Sequence, residues 1–171
     1  LPHSGMPSSH ILKPAILGVK DSVTNEGFCM ALAKMIQLQP ANAIIQQVQG
    51  VRFLLVERYD RMKNSDGTLQ RLHQEDFCQA LGVPPELKYA SEGGPTLREC
   101  FALVRSQSIR PAVDVMKLLD AAIFNVIVGN ADAHGKNFSL LYELEGPRLA
   151  PLYDLLATVA YPELSAKFAM R

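Results

Sequence analysis

The chain has 171 residues, 48% of them hydrophobic, which is enough for one sizeable core that two packed lobes can share. Lys plus Arg equals Asp plus Glu at 17 each, so no net field draws the molecule to nucleic acid or to an anionic membrane. Cys29, Cys78 and Cys100 are odd in number and form no C-x-x-C pair, which reads as reduced core thiols of a cytoplasmic protein, and no stretch approaches the roughly 18–20 apolar residues that span a bilayer.

In chain order, residues 1–9 are rich in Ser, Pro and Gly and read as an irregular lead-in to a strand-like segment, His10 to Lys13, stopped by Pro14. Ser22 or Thr24 is placed to cap a helix whose apolar face carries Phe28, Ala31, Leu32, Met35 and Ile36 and which ends near Gln39. Ala43 to Val48 and Val51 to Tyr59 predict two antiparallel strands joined by a tight turn at Gln49-Gly50. His73 to Leu81 reads as a short helix closed by Gly82, 83–95 as a loop, and Thr96 with Glu99 as a capping box opening the next helix. Between Ala112 and Val128 apolar residues are so dense that the helix is expected to be a buried spine, stopped by Gly129. A polar loop, Asn130 to Asn137, then leads to a strand, Phe138 to Leu144, a turn at Glu145-Gly146-Pro147, a second strand, Arg148 to Leu152, and Asp154.

This last order carries the chemistry. Asp132 and Asn137 stand five apart on a loop after an apolar helix, and a further acid, Asp154, follows a hairpin. Protein kinases use the same arrangement: one Asp accepts the proton of the attacking hydroxyl, while an Asn and a second Asp hold Mg²⁺, which neutralises charge on the phosphates. The loop alone is also ordinary turn chemistry, in which Asp and Asn bond their own backbone, so the weight lies on the combination. His134 and Lys136 are near enough to Asp132 to aim a donor or a positive charge at a transferred phosphate. Upstream, Lys13 ends a strand-like run as a kinase phosphate-binding lysine does, and Glu26 on the next helix can pair with it. Val56-Glu57-Arg58-Tyr59 leaves a strand where a kinase has its hinge, with backbone groups available to adenine.

With those residues in place, the chain resembles the C-terminal kinase region of HipA toxins from about His10 onward, through HILKP, NEGFCMALA, VERYDR, HQEDFCQALG, KYASEGGP, GNADAHGKNFSLLYE and LAPLYDLLA. The resemblance implies an α+β, protein-kinase-like fold: a partial N-lobe sheet with the hinge over 10–60, and a mainly helical C-lobe with the catalytic loop and a β-hairpin over 61–171. It implies an ATP- and Mg²⁺-dependent serine/threonine kinase of a toxin–antitoxin system, tied to growth arrest and persistence. Asp132 is then the catalytic base, Asn137 and Asp154 the metal ligands, and Lys13, Glu57, Arg58, Tyr59, His134, Gly135, Lys136, Asn137, Tyr153 and Asp154 the nucleotide contacts. The implied partners are a HipB-like helix-turn-helix antitoxin, with DNA reached only through it, and a protein substrate such as an aminoacyl-tRNA synthetase. Family members carry a glycine-containing, autophosphorylated phosphate loop before HILKP and a helical region after the matched part. Neither is seen here, so the 171 residues are expected to be a fragment and a poor catalyst alone; Ser4, Ser8 and Ser9 do not match the family's regulatory serine. Two alternatives remain: a small-molecule kinase of the aminoglycoside-phosphotransferase sort, and a nucleotide- or antitoxin-binding module without transfer.

Overall fold

The computed structural model describes residues 7–170; most of the expected lead-in, with Ser4, lies outside them. The elements in order are β1 (His10–Pro14), α1 (Ser22–Met35), β2 (Ala43–Val48), β3 (Val51–Glu57), β4 (Arg61–Lys63), β5 (Leu69–Arg71), β6 (His73–Asp76), α2 (Phe77–Ala80), α3 (Leu97–Gln107), α4 (Pro111–Val128), β7 (Ser139–Glu143) and β8 (Gly146–Leu149). One antiparallel sheet has the order β1-β3-β2, a second β6-β7-β8, and β4 with β5 form a small hairpin. The mixed architecture agrees with the expected α+β class.

In the first sheet Val48 pairs with Val51, so the expected Gln49-Gly50 turn closes the hairpin, both residues having positive φ (49° and 81°) as a two-residue turn of this hand requires. β3 ends at Glu57, two residues short of the expected Tyr59. Pro14 lies inside β1, opposite Phe53, which an edge strand tolerates because one side of its backbone needs no ladder bond.

Helix α1 turns a different side to this sheet from the one its apolar spacing suggested. Phe28, Met35 and Ile36 are exposed, while Val23, Glu26, Cys29, Met30 and Ala33 are buried. Gly27 explains the choice: a Cβ there would stand 2.8 Å from Ile45 Cδ1 and 3.4 Å from Leu54 Cδ1, so the glycine face is where the sheet side chains enter. Neither expected cap acts at the start; Asp21 precedes the helix without a side-chain bond, and Ser22 Oγ accepts the Ile16 N–H instead (2.8 Å). Left-handed Gln37 and Gln39 end the helix before the predicted Gln39 limit.

The segment His73 to Leu81 is half strand. β6 pairs with β7, His73 opposite Tyr142 and Asp76 opposite Ser139, and only then does α2 begin, capped reciprocally by Asp76 and Gln79 and ended by Gly82 (φ 68°). The capping box of Thr96 and Glu99 opens α3 as expected. The last hairpin turns at Leu144-Glu145, with Glu143 opposite Gly146, so β8 starts earlier and ends earlier than the sequence suggested. Helix α4 buries one face only: Asp114, Leu118, Ala121, Phe124 and Asn125 are inside, whereas Val113, Met116, Ile123, Val126 and Ile127 are exposed. The expected all-round spine is corrected by its neighbours, since α4 packs on α3 and β8, which lie to one side of it. Buried Asp114 fastens that side, accepting from the Ser108 hydroxyl (2.6 Å) and the Leu149 N–H (2.9 Å). One apolar cluster runs through both halves, from Val23 and Leu54 through Phe77, Val104, Leu118 and Phe124 to Leu140, Leu155 and Met170.

Candidate active site

The loop after α4 is built before any side chain is aimed. Gly129 takes φ 72° and ends the helix as expected; Val159 packs where its Cβ would be, 2.3 Å from Cγ2. Thr158 ties the loop from the other side, its hydroxyl accepting from Ala131 N–H (2.8 Å) and donating to the Gly129 carbonyl (3.1 Å), and Asn130 Nδ2 donates to Asn125 Oδ1 (2.8 Å). The loop closes in a single 3₁₀ turn over Gly135–Asn137 that leads into β7. A Cβ on Gly135 would stand 2.8 Å from Pro95 Cγ and 3.1 Å from Cys78 Sγ, so this loop is packed against α2 and the residues before α3.

The hairpin returns the chain to Asp154, a non-glycine residue at φ 59°, a conformation Asp tolerates better than most. Its carboxylate is held from two sides: Lys13 Nζ donates to Oδ1 (2.7 Å) and Asn137 Nδ2 to Oδ2 (2.7 Å). Lys13 also donates to Glu26 Oε1 (2.5 Å), so the strand lysine bridges the acid of α1 and the acid behind the hairpin, 141 residues away in sequence. Burial pulls the Lys13 ammonium down, but the charges of Asp154 and then Glu26 outweigh it and hold its pKa above the ordinary lysine value. Burial pushes the Glu26 carboxyl above the usual range, and the pull of Lys13 only partly offsets this.

Lys13, Glu57, Arg58, Tyr59, Tyr153 and Asp154 line one cavity of about 380 Å³, a size suited to a small-molecule ligand. Of the hinge N–H groups, Glu57 already donates to the Asn42 carbonyl (2.8 Å) and Arg58 to that of Ser9 (2.9 Å). Tyr59 stacks on Tyr153 with ring centres 5.8 Å apart and donates to Gln74 Oε1. The Tyr153 hydroxyl donates to the Lys136 carbonyl (2.8 Å), so the Ser139 hydroxyl must donate to it (2.7 Å); burial lifts the Tyr153 phenol far above its ordinary pKa, keeping it a donor.

Asp132, His134, Gly135, Lys136 and Asn137 are not among the residues lining that cavity; Asn137 touches its wall through the bond to Asp154. Asp132 is exposed on its turn and accepts from the Tyr89 hydroxyl (2.8 Å). His134 is buried, its pKa lowered by burial and by the charge of Lys88, and its Nδ1 has no partner among the described residues. Sequence reasoning overlooked Asp60, buried and lying against Arg58 and Arg61 (3.1 and 2.6 Å), and Tyr89. Burial raises the Asp60 carboxyl, but bonds and charge from the two arginines bring it net below the usual range. The strings VERYDR and KYASEGGP contained both residues without indicating which partners they would meet.

Among the described residues no three His, Cys, Asp or Glu side chains converge on one point. The donor set nevertheless fits Mg²⁺, which takes one or two protein oxygens and completes its shell with water and phosphate. Asp154 brings the carboxylate oxygens and Asn137 lies against it, but it is the Asn137 amide nitrogen that faces Asp154, while its Oδ1 accepts from the His134 N–H (3.0 Å), so the amide would have to turn to offer oxygen to a metal.

A strand lysine paired with a helix acid, facing a second acid behind a hairpin, on a mixed helix-and-sheet scaffold, defines a kinase-like fold. The proinflammatory kinase CtkA of Helicobacter pylori shares that fold, with TM-score 0.67 over 91% of this chain and 53% of its own at 16% identity. The profile of the HipA-like C-terminal domain matches residues 2–171, and the chain belongs to that family. The protein Y4mE of Sinorhizobium fredii is 63% identical over 171 residues, all of this chain and 41% of that protein. The serine/threonine-protein kinase toxin HipA of Shewanella oneidensis is 34% identical over 96% of this chain and 40% of its own length. The solved complex of Shewanella HipA with HipB and its operator DNA superposes with TM-score 0.88 at 32% identity, over 95% of this chain and 40% of that one. The chain thus spans about two fifths of the length of these two curated relatives.

Proposed function

We propose that the chain is the nucleotide-binding and transfer core of an ATP-dependent serine/threonine protein kinase of the HipA toxin type, with 10–60 as first lobe and hinge and 61–171 as second lobe. The observation that carries this reading is the bridge of Lys13 between Glu26 and Asp154, all three lining the cavity, with Asn137 on the other Asp154 oxygen. Lys13 offers positive charge to the phosphates, and the segment Glu57 to Tyr59, whose Tyr59 ring stacks on Tyr153, takes the adenine, with the Glu57 and Arg58 N–H groups already engaged by Asn42 and Ser9. Asn137 and Asp154 hold Mg²⁺, which when bound supplies charge neutralisation at the phosphates. Asp132 receives the proton of a serine or threonine hydroxyl; His134, kept neutral by burial and by Lys88, and Gly135 with Lys136 complete the nucleotide side. A HipB-like helix-turn-helix antitoxin is the proposed partner, as in the complex of the Shewanella relative. The balanced charge of this chain supports DNA contact only through that partner. We place the reaction in the cytoplasm; no described helix is long and apolar enough to cross a membrane.

The test is transfer of labelled γ-phosphate from ATP to proteins in a cell lysate by the intact protein. Asp154→Ala is expected to reduce labelling by at least about 100-fold. Full labelling by that variant refutes the assignment, and label confined to small molecules replaces it with a small-molecule kinase.

A further inference from the structure

The three central polar residues of the site are not equally held. Asp154 is fixed by two donors, and Asn137 both donates to Asp154 and accepts from the His134 N–H (3.0 Å). Asp132 is exposed on a turn, and among the described residues its carboxylate has one hydrogen-bond partner, the Tyr89 hydroxyl at 2.8 Å. An exposed carboxylate without a fixed partner samples several rotamers, and a base that must meet one hydroxyl in one geometry loses rate in proportion.

Tyr89 is itself firmly placed. Its ring meets His134 edge to face, centres 5.5 Å apart at 72°, and Lys88 Nζ lies 4.9 Å from its centre. The Tyr89 carbonyl accepts from the N–H groups of Glu92 and Gly94, each at 2.9 Å. Only glycine fits position 94, since a Cβ would stand 2.3 Å from the Leu87 carbonyl oxygen and 2.8 Å from that of Tyr89. Ala169 joins this loop to the one bearing Asp132: its carbonyl accepts from Ala90 N–H and its own N–H donates to the Ala131 carbonyl, both at 2.9 Å. Burial, then the bond to Asp132, hold the phenol above the ordinary tyrosine pKa, so it remains a donor at neutral pH.

We infer that Tyr89 is a positioning residue for phosphoryl transfer, its hydroxyl fixing one oxygen of Asp132 so that the other is presented to the acceptor hydroxyl. This rests on the reading of Asp132 as the base. It assigns a task to the KYASEGGP segment, which the nucleotide and metal roles leave without one.

Tyr89→Phe keeps the ring, the His134 contact and the Lys88 cation while removing the hydroxyl. In the intact protein it is expected to lower kcat for labelled transfer about tenfold, with KM for ATP and the melting temperature unchanged. The loss is expected to vanish in an Asp132→Asn background followed by single-turnover measurement, because a residue acting through another contributes nothing once that one is disabled. Unchanged kcat, a rise in kcat, or a loss that adds in full to that of Asp132→Asn overturns the inference. Asp132→Asn with full activity instead overturns the reading of Asp132 as base, so the two failures are separable.

Discussion

Replacing Lys13 by methionine removes the cation between two carboxylates while keeping the length and apolar stem of the side chain. The Glu26 side chain is 9% exposed, against 34% for Lys13 and 41% for Asp154, so Glu26 is left buried and unpaired while Asp154 can recruit water. Breaking a fully buried pair costs about 3–5 kcal/mol; solvent screening on the Asp154 side reduces the expectation to about 1–3 kcal/mol. A loss near 2 kcal/mol lowers the melting temperature by about 4–8 °C in a domain of this size. The pH dependence follows from Glu26, whose carboxyl burial already holds above the ordinary value and which loses the lowering pull of Lys13. An acid with a raised folded-state pKa binds more protons folded than unfolded, so stability falls as pH rises from the ordinary glutamate value through the raised one. The deficit of the variant is therefore small near pH 5 and larger at pH 7.5. The wild-type contribution of Lys13 has the complementary form: it is fully present below the ordinary lysine value and is lost only as pH rises through the raised one. Thermal melts at the two pH values measure this. Equal deficits at both refute the reasoning, as does a Lys13→Met/Glu26→Gln double variant no more stable than Lys13→Met.

Two further outcomes follow from packing. Gly135→Ala drives a methyl group to 2.8 Å from Pro95 Cγ, so the loop between Asp132 and Asn137 must shift; a fall in labelled transfer of about tenfold or more is expected, with ATP affinity measured by calorimetry weakened alongside it, because this loop is placed on the nucleotide side. Cys100 is fully buried and burial pushes its thiol up to about 12, so a thiol reagent at pH 8 should leave it unlabelled until the protein is unfolded, as mass spectrometry of the labelled peptides can show.

The parts of the fold legible in the sequence are those decided by neighbours along the chain. The Gln49-Gly50 turn, the box of Thr96 and Glu99 and the stop at Gly129 are local chemistry, and each formed where expected. What was not legible depends on distant contacts. β6 is a strand because Ser139 to Tyr142 lies beside it, and nothing within 73–81 announces that partner. The buried side of α1 was set by Gly27 admitting Ile45 and Leu54, not by the apolar spacing, which fits another face equally well. The same division holds in the site. The order helix, loop, hairpin and acid pointed to Asp132, Asn137 and Asp154, whereas the Tyr89 contact spans 43 positions and joins two loops that Ala169 also bridges through its backbone.

That division also explains how three weakly specific polar residues become one site. Lys13, Glu26 and Asp154 come from a strand, a helix and the far end of a hairpin, and formally carry one positive and two negative charges within bonding distance. Among the described residues no second cation pairs with these acids: Asn137, the remaining partner of Asp154, is neutral. Such a cluster favours the approach of a cation, and burial of Glu26 makes the uncompensated charge more costly than it would be in water. Under the proposed function, a divalent cation held there would leave the same residues with a net positive charge suited to phosphate oxygens, so cation and nucleotide would each improve the site for the other. The lysine bridge holds the two acids together, and Asp154, at a left-handed backbone position, turns one carboxylate oxygen to Lys13 and the other to Asn137.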